Sequence, residues 1–148
     1  MINHEIYGRV VDAKMFIDAN YHEPIVLDQV ARKACLSPFY FHRTFKNIYR
    51  FTPHQYVTRK RMEKAKQLLA GNKPVTEVCL EVGFESLGSF SSLFKKENGL
   101  SPVIFRNVAW LQKQERITEP RKAIPHCFIR GMGLDKSNNQ ETFHPEEI

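Results

Sequence analysis

The sequence predicts an all-α chain built on a duplicated unit, and three observations carry that prediction. Ser37-Pro38, Thr52-Pro53 and Ser101-Pro102 each set a hydroxyl N-cap before a proline suited to the first helical position. CLSPFYFHRTFKNIYRFTP (35–53) reads as another copy of GFESLGSFSSLFKKENGLSP (83–102). Ser37/Ser86, Phe41/Phe90, Phe45/Phe94, Lys46/Lys95, Pro53/Pro102 and Tyr56/Phe105 match at an offset of 49, and Val30/Val78 at 48, so the second copy carries one extra residue in its turn. Residues 1–111 show no strand-type alternation of any length.

The elements follow in order. Ile6, Val10, Ala13, Ile17 and Tyr21 take the four-three-four step of one helix face, which predicts a helix over about 6–21 closed by His22-Glu23-Pro24. Leu27–Ala34 is a second, short helix with Leu27, Val30, Ala31 and Ala34 inward, broken at Cys35-Leu36. The third opens at Ser37, buries Phe41, Phe45 and Ile48, and ends near Tyr49. A long helix then runs from Pro53 to Leu69, with Tyr56, Val57, Met62, Ala65, Leu68 and Leu69 as core candidates and Gly71 as its stop. It spans roughly 26 Å at about 1.5 Å per residue. The pattern restarts with a short helix at Val75–Val82, a turn at Gly83-Phe84-Glu85, a helix from Ser86 to about Asn98 ended by Gly99, and a further helix from Ser101-Pro102. This divides the chain into a first lobe at 1–52, a linker helix at 53–70, a second lobe at 71–111 and a C-terminal tail at 112–148 that is irregular, with no clear helical period after about Ile117.

The totals limit what such a chain does. With 148 residues it cannot hold a large multi-domain enzyme. No run of about 18 apolar residues appears, and MINHEIYGRVVDAKMF lacks the order of a secretory signal, so a soluble cytoplasmic protein with no membrane partner is expected. Three well-separated cysteines, Cys35, Cys79 and Cys127, argue against a disulfide framework. Cys35 and Cys79 sit near turns at positions that read as small core residues. The formal charge of +6 lies wholly on residues 1–111, which hold 16 basic and 10 acidic groups, whereas 112–148 hold six of each. It peaks at Arg43, Lys46, Arg50, Arg59, Lys60, Arg61, Lys64 and Lys66, a stretch with one acid, Glu63. Such a run reads either as a solvated helix face or as a surface for a polyanion.

Two helices joined by a short turn, with a small or flexible residue in it, follow the helix-turn-helix plan, in which the first helix braces and the second enters the DNA major groove. The apolar positions leave one face of each second helix open: Phe39, Tyr40, His42, Arg43 and Lys46 in the first unit, and Leu87, Gly88, Ser89, Ser91, Ser92 and Lys95 in the second. Arg43 can grip guanine with two hydrogen bonds, and hydroxyl and apolar groups can meet phosphates or thymine methyls. Simple helical packing is the bland alternative; duplication, basic charge and the linker helix together favour double-stranded DNA.

Over about residues 6–108 the sequence resembles the AraC/XylS family of bacterial transcription regulators. The residues that carry the resemblance are ACLSPFYFHRTFK, TPHQYVTRKRMEKAKQLL and VGFESLGSFSSLFKKENGLSPVIFR. The resemblance implies two homeodomain-like helix-turn-helix lobes on one face of the duplex, each placing a recognition helix in successive major grooves, with transcription activated through contact with RNA polymerase. No paired carboxylates, phosphate-cradling glycine loop or Ser-His-Asp set appears, so no enzyme activity and no cofactor or metal is expected. The second copy departs from the family, with Leu87 and Gly88 where polar readers are common and Ser92 where an arginine is common. The first lobe is therefore expected to supply most of the base discrimination, and the second phosphate contacts and weaker readout. Only about five residues precede the first helix, as in the small stand-alone members, and a monomer fits. A single alanine inserted near Gln67 is expected to rotate one lobe against the other while both stay folded.

The tail leaves three readings. His126-Cys127 lacks the set of three or four ligands that a metal site needs. IPHCF is a scrambled relative of the Pro-Cys-His nucleophile of DNA alkyl-transfer proteins, which join such a sequence to this kind of module; Cys127 would then be the reacting thiol, though the order is wrong and the tail is short for an active site. The third reading makes 112–148 an effector- or protein-docking element.

Overall fold

A computed structural model describes residues 3–118. Its helices are α1 (His4–Asn20), α2 (Leu27–Lys33), α3 (Pro38–Tyr49), α4 (Pro53–Ala70), α5 (Val75–Glu81), α6 (Leu87–Asn98) and α7 (Pro102–Thr118), and no strand occurs among the described residues. No helix among them is long and apolar enough to cross a membrane.

The caps read from the sequence are made. Ser37 Oγ accepts from the Tyr40 N–H (3.3 Å), Ser86 Oγ from Ser89 N–H (3.3 Å) and Ser101 Oγ from Ile104 N–H (3.4 Å). Thr52 and Gln55 close a reciprocal box: Thr52 Oγ1 accepts from Gln55 N–H (3.2 Å), and Gln55 Oε1 accepts from Thr52 N–H (3.0 Å). Helix α1 starts two residues before the expected Ile6, because Asn3 Oδ1 caps it by accepting from Glu5 N–H (3.3 Å).

The two turns superpose through their backbone bonds. Cys35 N–H donates to Arg32 and Leu36 N–H to Ala31, and 48 residues later Gly83 N–H donates to Leu80 and Phe84 N–H to Cys79. This is the closure of a left-handed helix end, with φ at +56° for Cys35 and +93° for Gly83. Cys35 is thus exposed, not a core residue, because the left-handed turn carries its side chain outward. Cys79 is buried as expected; its S–H reaches the Phe84 carbonyl (3.8 Å), and burial pushes its thiol pKa up. The α3 and α6 ends correspond too: Arg50 takes φ +66° where the second copy has Gly99 at +77°. Helix α4 ends at Ala70 with Gly71 as its C-cap, as the sequence predicts; Gly71 keeps φ −76°, and the left-handed residue is the next one, Asn72 (φ +66°).

Each lobe has its own core. Val10, Ala13 and Ile17 of α1, Val30 and Ala31 of α2, Phe41 and Phe45 of α3 and Val57 of α4 fill the first. Met62, Ala65 and Leu69 of α4, Val78 and Cys79 of α5, Val82, and Phe90 and Phe94 of α6 fill the second. Ile6, Tyr21, Ile48, Tyr56 and Leu68, expected inside, are only half-buried at the rims. The aromatic stacking repeats: Phe41–Phe45 (5.6 Å between ring centroids) and Phe45–Tyr56 (5.5 Å) become Phe90–Phe94 (5.8 Å) and Phe94–Phe105 (5.3 Å).

Helix α4 is therefore more than a spacer. Its first half closes lobe one, and its second half does for lobe two what α1 does for lobe one. An insertion at Gln67 would part Ala65 from Leu69, both wholly buried in the second core, so the structure predicts a destabilised second lobe in place of two intact ones. The chain divides into a unit ending at Trp110 and a second from Leu111; the described residues of the second, 111–118, belong to α7. Residues 112–118 continue α7, in keeping with a helical period that the sequence carries to about Ile117. Cys127 and the rest of 119–148 lie outside the described residues.

Candidate nucleic-acid interface

Both sets of candidate readers lie on capped helices, on faces turned away from the cores, with Lys46 and Lys95 in the last turns and the others in the N-terminal halves. On α3, Phe39 is 77% exposed, Tyr40, Arg43 and Lys46 are exposed, and His42 is half-buried with its ring edge against Phe41 (6.2 Å). Arg43 and Lys46 fall three residues apart on the face opposite Phe41 and Phe45, and exposed Arg50 follows as the left-handed C-cap of the helix. On α6, Leu87 (44%), Gly88, Ser89, Ser92 and Lys95 are exposed and Ser91 is half-buried. A Cβ on Gly88 would meet only Ser86 Oγ, at 3.7 Å, so no packing contact forces the missing side chain.

At the offset of 49 the two faces compare position by position. Phe39, Tyr40, His42, Arg43 and Arg50 become Gly88, Ser89, Ser91, Ser92 and Gly99, and Lys46 becomes Lys95. Of the first face's cations, only Lys46 is kept in the second copy. The asymmetry lies in the side chains, since the helices, caps and turns match.

The basic run divides into two groups. Arg43, Lys46, Arg50, Lys64 and Lys66 make no ion pair among the described residues. The other three are engaged within the chain. Arg59 Nε meets Glu63 Oε1 (3.1 Å), with its guanidinium over the Phe51 ring (4.9 Å). Lys60 lies 3.4 Å from Asp18 Oδ1 in a cluster where Lys14 Nζ holds Oδ2 (2.7 Å) and the Tyr56 hydroxyl donates to Oδ1 (2.7 Å). Burial pushes the Asp18 carboxyl up, but the hydrogen bonds from Lys14 and Tyr56 and the Lys60 charge outweigh it and hold its pKa below the usual value. Arg61 donates to three backbone carbonyls, and burial draws its pKa below that of an open guanidinium. These engagements were not legible in the charge count.

Two capped recognition-type helices on separate cores that share one helix, the first of them presenting a basic, aromatic face, define a two-lobed helix-turn-helix module. Residues 30–107 match the family model described as "Helix-turn-helix domain". The chain is similar to the bifunctional transcriptional activator/DNA repair enzyme AdaA of Bacillus subtilis, with 33% identity over 99 residues, 66% of this chain and 47% of that protein. It is 37% identical over 92 residues to the probable transcriptional regulator LumQ of Photobacterium leiognathi, covering 62% and 37% of the two chains. Among solved structures it resembles a transcriptional regulator with an AraC-type DNA-binding domain from Chromobacterium violaceum (TM-score 0.63, 27% identity, 73% of this chain and 97% of that one). The chain belongs to the AraC/XylS family of sequence-specific DNA-binding transcription regulators. It spans less than half the length of the two curated relatives named.

Proposed function

We propose that the chain binds duplex DNA with α3 and α6 in successive major grooves and thereby controls transcription. The observation that carries this is the repeat itself: two helices with the same serine cap, the same turn closure and the same exposed N-terminal face, braced by separate cores that share α4. Arg43, His42, Tyr40 and Phe39 read bases in one half of the site, with Lys46 and Arg50 on phosphates. Lys95 and the serines of α6 hold the backbone in the other half, with Leu87 and Gly88 adding little discrimination. Regulation is activation through RNA polymerase, in the cytoplasm and as a monomer. Selection of bound sites from random duplexes tests the reading. It predicts a two-part site about one helical turn apart, with higher information content in one half. Selection of no sequence at all refutes it.

A second reading comes from the relative described as a DNA repair enzyme. It would make Cys127 an alkyl acceptor, and that residue lies outside the described part. Support for a regulator without catalysis comes from the matched segment, 30–107, which ends well before Cys127. Incubation with alkylated duplex DNA followed by mass measurement decides: transfer to Cys127 would favour the enzyme.

A further inference from the structure

Arg61 sits on α4 between Val57, which belongs to the first core, and Met62 and Ala65, which belong to the second. Its guanidinium joins the lobes. Nε donates to the Tyr21 carbonyl (2.6 Å) and Nη2 to the Glu23 carbonyl (3.0 Å), both in the segment that follows α1. Nη1 donates to the Gly83 carbonyl (3.0 Å) in the turn of the second lobe, and the cation lies over the Phe84 ring at 5.7 Å. The backbones also meet there: a Cβ on Gly83 would stand 2.6 Å from the His22 carbonyl oxygen and 3.0 Å from its carbon. Gly83 thus combines φ +93° with a close interlobe approach, and no other residue type satisfies both.

The joined segments are those that aim the readers. Gly83 lies three residues before Ser86, the cap of α6. Tyr21–Glu23 leads into α2, the helix that braces α3. A planar fork of N–H donors reaches three carbonyls in three directions, which a lysine ammonium on a flexible stem does not reproduce. Charge-assisted hydrogen bonds to carbonyls are among the stronger polar contacts a protein makes.

We propose that Arg61 is a positioning residue that locks the two lobes at one separation, so that the chain selects the spacing between half-sites as well as their bases. The proposal rests on the DNA-binding reading above, but the lock can be measured without DNA. Two variants address it from opposite sides: Arg61→Lys keeps the charge and loses the fork, and Gly83→Ala keeps the arginine and forces the backbones apart.

Each variant is first checked for wild-type helical content, then bound to the selected site and to versions with one base pair added or removed between the halves. The wild type should lose on the order of tenfold in affinity at either altered spacing, a difference equivalent to about 1.4 kcal/mol. Both variants should bind all three spacings within about threefold, with an unchanged salt slope. A spacing profile as sharp as the wild type's in both variants overturns the proposal, as does a wild type indifferent to spacing. A salt slope reduced by about one with the spacing profile intact would make Arg61 a phosphate contact instead and equally overturns it. Without DNA, spin labels at Asn47→Cys on α3 and Lys96→Cys on α6, in a Cys35→Ser, Cys127→Ser background, should give one narrow distance distribution that broadens in both variants. If the wild type binds no specific DNA, the functional reading falls while these distances still decide the lock: a distribution that stays narrow in the variants refutes it.

Discussion

Inserting one alanine into α4 should have opposite consequences at two points only eight residues apart. An insertion between Arg59 and Lys60 leaves Val57 in register with the first core and Met62, Ala65 and Leu69 in register with the second. It rotates one lobe against the other by about 100° and shifts it by about 1.5 Å. The Arg61 guanidinium is carried away from the Tyr21 and Glu23 carbonyls, so about two hydrogen bonds are lost, for roughly 1–3 kcal/mol. Each lobe keeps its core, the circular-dichroism spectrum should be unchanged, and specific affinity should fall to what one lobe supplies. An insertion between Gln67 and Leu68 instead swings Leu69 out of the second core, where it is wholly buried. Removing a buried leucine costs about 2–5 kcal/mol, so lobe two should unfold at lower urea than lobe one. Urea melts followed by circular dichroism, with gel-shift titration of the selected duplex, separate the two. If the Arg59 insertion keeps full affinity, the lobes act independently; if the Gln67 insertion melts like the wild type, α4 is not a wall of the second core.

Arg43→Ala should cost about 1–3 kcal/mol of specific binding and relax preference at one base pair, and Ser92→Ala should change selection little; parallel selections on both variants check this. Arg50→Gly should raise stability by about 1 kcal/mol, since an L-residue at φ +66° carries that strain, and should lower the salt slope of binding by about one. Asp18 has a folded pKa below its unfolded value, so its contribution is complete above the unfolded carboxylate range and is lost as pH falls through the folded pKa. Asp18→Asn should therefore destabilise at neutral pH and flatten the acid limb of a stability–pH profile measured in urea.

Most of the fold was legible because it is encoded locally. A serine or threonine before proline fixes a helix start through bonds to the next three residues, and Phe41, Phe45, Phe90 and Phe94 at four-residue steps mark buried faces. The repeat then checked each element against its copy. What failed was also local but of the wrong kind to read. Cys35 looked like a core residue by type, and its left-handed φ, which turns it outward, becomes visible only by comparison with Gly83 in the second copy. Gly71 does stop α4, but the left-handed angle falls on the next residue, Asn72, whose short polar side chain tolerates it.

The candidate interface was legible on each lobe for the same reason, since exposure at a helix face follows from periodicity. The relation between the lobes was not. Arg61 stood in the sequence as one of eight cations in a run, to be assigned to solvent or phosphate. Its partners are carbonyls 40, 38 and 22 residues away, and a carbonyl has no side-chain signature that a sequence can show. One signal was present: within the duplicated unit, Gly83 replaces Cys35, although Cys35 demonstrates that the turn alone tolerates a non-glycine residue at positive φ. The turn therefore does not require glycine. The approach of the His22 carbonyl does, because any Cβ at position 83 would fall within 2.6 Å of its oxygen. The difference between the two copies at this position marks the place where one lobe touches the other, and Arg61 is the side chain bound at that contact.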